Sequence, residues 1–344
     1  MGPDAPEPVF AGRGEGAWLE DATGGKLLDF ASGGTSPLGG NHPGIAKVLN
    51  QVGHAPASDG VVAPTEVALM HKLAELVPGG MNRRVLVCES GREALARAIE
   101  LARAETGRQC VLYRSSTPDE KPVVGNDVAA VVAHPLDGRI KKVRQACDAA
   151  GAMVIDDEAG IGPGTAGRML AIELSDVRPD IYVLGRGWAA GLPFGACVTG
   201  SSDLRWKCAT VGNPIGCAAA LETVRLLEAG LLDQGRKLAV CLEKRFGQLT
   251  STKLEPELYG TGLVRTIAFR KDKGIAAGFA QKCRELGLLL YVLSADTVAV
   301  RPPLVAKEKD IDFAVEVLGK VLAGFDKRPG FLGTVPVRGQ SPKA

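Results

Sequence analysis

The stretch Arg178-Pro179-Asp180-Ile181-Tyr182-Val183-Leu184-Gly185-Arg186-Gly187-Trp188-Ala189-Ala190-Gly191-Leu192-Pro193-Phe194-Gly195-Ala196 decides how this sequence is read. It opens with an unbroken apolar run, residues 181–184, and passes through a glycine-rich segment into a second run, Ala196-Cys197-Val198. Runs that are apolar at consecutive rather than alternate positions suit strands covered on both faces. Outward from this stretch, residues 85–88, 110–113, 128–132 and 153–155 have the same character. Helical periodicity separates several of them, over residues 93–104 and 141–150. Strand and helix alternating along the chain predict an α/β fold with a mostly parallel central sheet.

The flanks read differently. Residues 1–55 are rich in glycine and turn signals, and the chain from 241 onward carries helices plus the extended Val298-Ala299-Val300-Arg301 before Pro302-Pro303. The expected organisation is a large α/β domain over residues 56–240, with a smaller α+β domain built from residues 1–55 and 241–327. The tail, residues 328–344, has three prolines, three glycines and little apolar periodicity, and is expected to be loose.

Composition narrows the function classes. With 344 residues, 45% hydrophobic and 23% charged, the chain suits a soluble globular protein with well-filled cores. A net charge of +2 from 41 basic and 39 acidic residues gives no broad attraction to nucleic acid or an anionic bilayer. The amino terminus, Met1-Gly2-Pro3-Asp4-Ala5-Pro6, lacks a basic region followed by an apolar run, and no apolar stretch reaches membrane-spanning length, so a cytoplasmic protein is expected. The eight cysteines form no C-x-x-C pair and lie mostly in apolar segments, which favours reduced core thiols over a zinc site or a disulfide framework.

The quoted stretch resembles the cofactor-lysine segment of class III aminotransferases, the ornithine, acetylornithine and 4-aminobutyrate type of pyridoxal phosphate (PLP) enzymes. The likeness covers nearly the whole chain: residues 14–30 resemble the family's opening hairpin, Gly39-Gly40-Asn41-His42-Pro43 the loop after it, and Pro302-Pro303-Leu304 its carboxy-terminal signature. The resemblance implies a fold type I PLP-transferase architecture, normally a dimer with active sites at the subunit interface. It also implies site residues. Asp157 of Asp157-Glu158 matches the aspartate that keeps the pyridine nitrogen protonated. Ser90-Gly91-Arg92-Glu93 matches the turn whose N–H groups hold the cofactor phosphate at a positive helix end. Ser-x-x-Glu is equally a capping box that needs no ligand, and Arg92 adds a positive charge that leans toward an anion. Tyr113 is placed to supply a ring to the cofactor, and Thr210 is a shifted match to the threonine donated by a neighbouring subunit.

Against that pattern, the position of the lysine that bonds to the cofactor reads Arg186, and no lysine occurs between Lys142 and Lys207. An arginine with a pKa of about 12.5 is neutral in fewer than ~1 in 10⁵ molecules at pH 7, a handicap of roughly 7.5 kcal/mol for a group that must first lose its proton. Other contacts are altered too. The aromatic loop after residue 113 is shortened, the two glutamates of Glu-Pro-x-x-Gly-Glu read His134 and Arg139, their arginine partner reads Ala299, and the glutamine after the ring-nitrogen aspartate reads Gly160. His42 and His134, each beside a proline, read as ordinary loop histidines.

Three functions follow. The favoured one is a catalytically inactive homologue with a binding or assembly role, as a homodimer or paired with a lysine-bearing paralogue. The second is an active aminotransferase on an ornithine-like or ω-amino substrate, recruiting Lys141, Lys142 or Lys207. The third holds PLP, pyridoxamine phosphate (PMP) or another small anion without a covalent bond, with Arg186 as an anion clamp. With no pyridinium in place Asp157 would be a buried carboxylate lacking its partner, and Arg186 is expected to touch either Asp157 or a bound anion.

Overall fold

A computed structural model describes residues 9–52, 62–78, 83–113, 123–200, 212–251, 253–269 and 274–327. The expected loose tail (328–344), the loop after Tyr113, Thr210 and Lys207 lie outside the described residues. The chain opens with an antiparallel meander, β1 (Ala11–Glu15), β2 (Trp18–Asp21) and β3 (Lys26–Asp29), followed by α1 (Pro43–Val52) and α2 (Pro64–Leu76). Next come β4 (Arg84–Cys88), α3 (Gly91–Thr106), β5 (Cys110–Tyr113), β6 (Val128–Ala133), α4 (Ile140–Ala150), β7 (Met153–Asp157), β8 (Ile181–Leu184) and β9 (Gly195–Thr199). Each apolar run singled out in the sequence is one of these strands.

The six strands β4–β9 form one sheet in the order β4-β9-β8-β7-β6-β5. Strands β5, β6, β7 and β8 are mutually parallel, and β9 runs antiparallel to both of its neighbours, β8 and β4. The sheet is therefore mostly parallel, as expected, with one inserted antiparallel strand. Both faces are covered, which is why the strands are apolar at every position. One face carries α3, whose stripe of Ala94, Ala98, Leu101 and Ala102 meets Val132, Ile155, Ile181 and Val183. The alanines let the helix lie close as it crosses from β4 to β5 at the far edge. The other face presents Val85, Val131, Val154, Leu184 and Val198 to a second cluster that includes Leu73 of α2 and Val143 of α4.

The rest of the chain comprises α5 (Pro214–Leu226), α6 (Leu232–Phe246), β10 (Glu257–Thr261), β11 (Val264–Ala268), α7 (Ala276–Glu285), β12 (Leu288–Leu289), β13 (Tyr291–Ser294), β14 (Thr297–Val300) and α8 (Glu308–Lys327). Strands β10, β11, β14 and β13 make an antiparallel sheet, while β12 joins the amino-terminal meander alongside β3. Their apolar faces share a separate core with α6, α7 and α8, into which Leu28 and Phe30 also project. Backbone hydrogen bonds stitch the loop after β3 to the chain after β14: Arg301 N–H donates to the Phe30 carbonyl (2.6 Å), Gly33 N–H to the Arg301 carbonyl (3.0 Å) and Leu304 N–H to the Pro37 carbonyl (2.8 Å). This stitching carries residue 301 to the edge of the central sheet.

Three turns meet at that edge with no room between them. A Cβ at Gly195 would lie 2.2 Å from the Ser90 carbonyl oxygen, one at Gly91 2.6 Å from the Ala159 Cβ, and one at Gly185 2.4 Å from the Ala159 carbonyl oxygen. Gly195→Ala forces backbone against backbone, and a cost of about 3 kcal/mol is expected as a lowered urea midpoint with an unchanged slope. An unmoved midpoint would show that the Ser90 turn gives way freely.

Candidate active site at the carboxy ends of the parallel strands

In open α/β sheets ligands bind outside the carboxy ends of the strands, where the order of strands reverses direction. Here the chain leaves β4, crosses to β5 at the far edge and returns strand by strand toward β4. Ser90, Tyr113, His134, Asp157 and Arg186 stand at or just past the carboxy ends of β4, β5, β6, β7 and β8. Five segments far apart in sequence thus contribute to one rim.

Ser90 is the N-cap of α3, in extended conformation, with its hydroxyl accepting the Glu93 N–H at 3.2 Å. Glu93 reaches back to accept from the Glu89 N–H at 3.1 Å. The cap anticipated from Ser-x-x-Glu is real, and it leaves the positive end of a 16-residue helix facing the rim. Arg92 is exposed there and makes no ion pair among the described residues. Tyr113 ends β5 with 64% of its surface exposed.

Asp157 is half-buried, and its Oδ1 accepts the Ala159 N–H at 3.1 Å. His134 lies next to it: β6 and β7 pair in parallel with Ala133 opposite Asp156, so the next residues out, His134 and Asp157, share the α3 face. The Leu136 N–H donates to His134 Nδ1 at 3.3 Å, which leaves the proton of the neutral ring on Nε2. The imidazole is exposed to solvent. Desolvation lowers its pKa, with Arg301 acting in the same direction and Asp157 and Asp137 against it.

Arg301 is the residue that the sequence reading missed. It leaves β14 two positions after Ala299, on the same face of an extended strand, and a charged residue at the end of a buried strand was the signal available. Its Nε is buried with no hydrogen-bond acceptor, its guanidinium lies 5.4 Å from the centre of the Tyr291 ring, and a Cβ at Gly34 would come 3.4 Å from Nη1. Burial pulls its pKa below the usual guanidinium value, with Tyr291 acting against it.

Arg186 opens a single 3-10 turn, Arg186–Ala189, directly after β8. The expected contact with Asp157 is absent. Arg186 is exposed and has no hydrogen bond or ion pair among the described residues. The physical reason is that Asp157 is only half-buried and is served by the Ala159 N–H and by solvent, so it exerts little pull on a guanidinium. The fully buried carboxyls are its two neighbours. Both oxygens of Asp156 lack a partner, whereas Glu158 Oε1 accepts the Ile172 N–H at 2.9 Å and its Oε2 lacks one. Of the lysines considered as substitute amines, Lys141 is exposed and paired with Asp176 at 3.7 Å, and Lys142 is exposed on α4. Among the described residues no helix is long and apolar enough to cross a membrane.

Comparison with known proteins bears on this arrangement. The profile described as "Aminotransferase class-III" matches residues 2–117 and 122–322. The acetylornithine aminotransferase of Methanosarcina acetivorans is 26% identical, over 91% of this chain and 91% of its own. The ornithine delta-aminotransferase of Plasmodium falciparum superposes with a TM-score of 0.82 at 22% identity, covering 95% of this chain and 96% of the other. A PMP-bound aminotransferase from Vibrio fluvialis gives 0.81 at 21% identity, covering 92% of each chain. The fold is that of fold type I PLP-dependent aminotransferases, and the chain belongs to the class III aminotransferase family.

Proposed function

We propose that this chain is a class III aminotransferase homologue that no longer transaminates and that acts as a binding or assembly subunit, as a homodimer or beside a lysine-bearing paralogue. One observation carries the proposal. Arg186, on our reading the counterpart of the family's cofactor lysine, heads the turn after β8 as an exposed, unpaired guanidinium, and the sequence from 143 to 206 offers no amine in its place. An exposed guanidinium keeps its proton at neutral pH and does not attack an aldehyde.

The remaining rim fits the non-covalent half of the cofactor. The start of α3 with Ser90, Gly91 and Arg92 offers a positive helix end and an exposed cation for a phosphate. Asp157 keeps a carboxylate at the carboxy end of a central strand, where it would hold a pyridine nitrogen protonated. Tyr113 would offer its exposed ring, and Thr210 is retained as a proposed contact from a partner subunit. PLP, when bound, supplies an electron sink. These residues would hold and orient it, and Arg186 would add a positive charge without supplying an amine. Non-covalent binding of PLP or PMP is therefore a second reading, motivated by a phosphate cradle that survives beside a lost amine.

Incubating the full chain with PLP, N-acetylornithine and 2-oxoglutarate tests both. The expected result is no glutamate formed and no pyridoxyl adduct on any peptide after borohydride, together with a raised melting temperature in PLP or PMP. An adduct on Lys141, Lys142 or Lys207 with turnover overturns the loss of transamination. An unmoved melting temperature overturns the cofactor cradle.

A further inference from the structure

We propose that a cleft between the amino-terminal meander and the start of α8 is a second binding site, and that it takes a planar aromatic ring bearing a phosphate or a carboxylate. None of the rim residues lines it, and it does not depend on whether the chain transaminates.

The cleft encloses about 650 Å³, within the ~300–1,000 Å³ usual for small-molecule sites. Its wall is an aromatic pair. Trp18 of β2 and Phe313 of α8 lie with ring centres 5.5 Å apart, tilted by 49°. Both pack against the carboxy-terminal core yet are only half-buried, and both line the cleft. The indole is held in place. Its Nε1–H donates to Asp310 Oδ1 at 3.0 Å, and Asp310 is 4% exposed, with its Oδ2 accepting the Lys307 N–H at 2.8 Å. Turning the ring would leave a buried carboxylate oxygen without its donor, so the aromatic surface is preorganised.

The charges are sorted by wall. On the meander, Glu20 is paired across the strands with Arg13 on one side and Lys26 on the other, and paired residues share a face. One carboxylate thus stands between two cations there, and Glu15, opposite Trp18, offsets the second. The α8 wall is different. Lys307 and Lys309 are exposed and make no ion pair among the described residues. Both oxygens of Asp310 are engaged, Asp312 is paired with Arg245 at 2.6 Å, and Glu308 does not line the cleft. Lys309 stands one turn before Phe313 on the same helical face. Two uncompensated ammonium groups therefore flank a fixed aromatic surface. A ring stacked on Trp18 and Phe313 brings its anionic group within reach of them. A neutral ring forgoes the charge, and a bare anion meets only solvent-screened lysines.

Calorimetric titration of the full chain with adenosine monophosphate and with 1-naphthoate tests the site, with adenosine and inorganic phosphate as the ring-only and anion-only comparisons. At least one ring-bearing anion is expected to bind saturably and to quench tryptophan fluorescence, about tenfold or more tighter than either comparison. Binding of the nucleotide alone identifies a phosphate-bearing ligand, binding of naphthoate alone a carboxylate-bearing one, and binding of both the shared chemistry. Of the three tryptophans, Trp188 is fully buried and Trp206 lies outside the described residues. Trp18→Phe, which keeps a ring and removes the fluorophore, should abolish the quench while binding persists. Lys307→Gln combined with Lys309→Gln changes two exposed residues and should leave stability unaltered while weakening binding about tenfold or more. The site is overturned if neither probe binds, if adenosine or phosphate binds as tightly, if the double lysine variant binds equally, or if the quench survives in Trp18→Phe. Product formation in the transamination assay would overturn the proposed function and leave this response untouched.

Discussion

Arg186→Lys, treated with PLP and then borohydride, is expected to carry a pyridoxyl group at position 186, where the parent carries none. The magnitude follows from proton affinity. At an unperturbed pKa of about 10.4 a lysine amine is neutral in roughly 1 in 2,500 molecules at pH 7, against fewer than ~1 in 10⁵ for arginine, and a positive helix end nearby moves the balance further toward the neutral amine. The guanidinium is also a poor nucleophile even when neutral, so the gain in covalent capture exceeds the hundredfold that the pKa values supply. The substitution is structurally mild. Arg186 is exposed and unpaired, so a change within about 0.5 kcal/mol in unfolding free energy is expected, and capture cannot be blamed on a rearranged fold. The turn itself is shaped by Gly187, where a Cβ would come 2.6 Å from the Gly34 carbonyl oxygen, and it stays as it is. If PLP raises the melting temperature of Arg186→Lys and borohydride still fixes nothing at that position, then residue 186 is not where the family keeps its lysine.

The strands were legible because each is buried on two faces and so writes an unbroken apolar run. Residues 181–184 are all buried, as are residues 128–133. The antiparallel insertion of β9 was not legible, since its composition matches that of its parallel neighbours and only pairing distinguishes them. At the site, Ser90 was readable in two ways, and the structure shows the capping geometry without removing the helix end from the rim. One misreading has its cause in burial assigned to the wrong residue. Asp157 was taken as a buried carboxylate in need of Arg186, but a strand alternates its faces, and it is Asp156 that lies fully buried while Asp157 reaches the open rim. Arg301, two residues beyond Ala299 on the same strand face, was not singled out because no family position pointed to it. The placing of His134 beside Asp157 depends on pairing between β6 and β7, and that of Arg301 on the stitching at Phe30 and Gly33, neither of which is local in sequence.

Asp156→Val is expected to stabilise the protein by about 3 kcal/mol or more at pH 8 and by clearly less at pH 4. Asp156 sits on a central strand in register with Ala133 and Tyr182, its residue is 0% exposed, and neither carboxyl oxygen has a hydrogen-bond partner. Burial drives its pKa well above the ordinary carboxylate range, and the neighbouring Glu158 and Asp157 push the same way. Burial likewise lifts Glu158, to about 7, against the hydrogen bonds from Ile172 and Ala171 that favour its ionised form. The sign is fixed by linkage. For acids whose folded pKa is raised, the unfolded chain releases its protons first, near pH 4, while the folded chain holds them. Stability is therefore greatest below about pH 4 as far as these two groups are concerned, and falls as pH rises toward the folded values. For Glu158 that window runs from its ordinary value of 4.5 to about 7, and for Asp156 it extends upward from 3.8. Valine removes the Asp156 share of this slope together with two unsatisfied oxygens, and its branched side chain suits a strand facing Val154 and Leu184. Urea denaturation of parent and variant at pH 4, 6 and 8 measures the difference directly. A variant that loses stability at pH 8 would mean that the carboxyl is held by a hydrogen-bonded partner, such as an internal water, and that burying it is no burden to the fold.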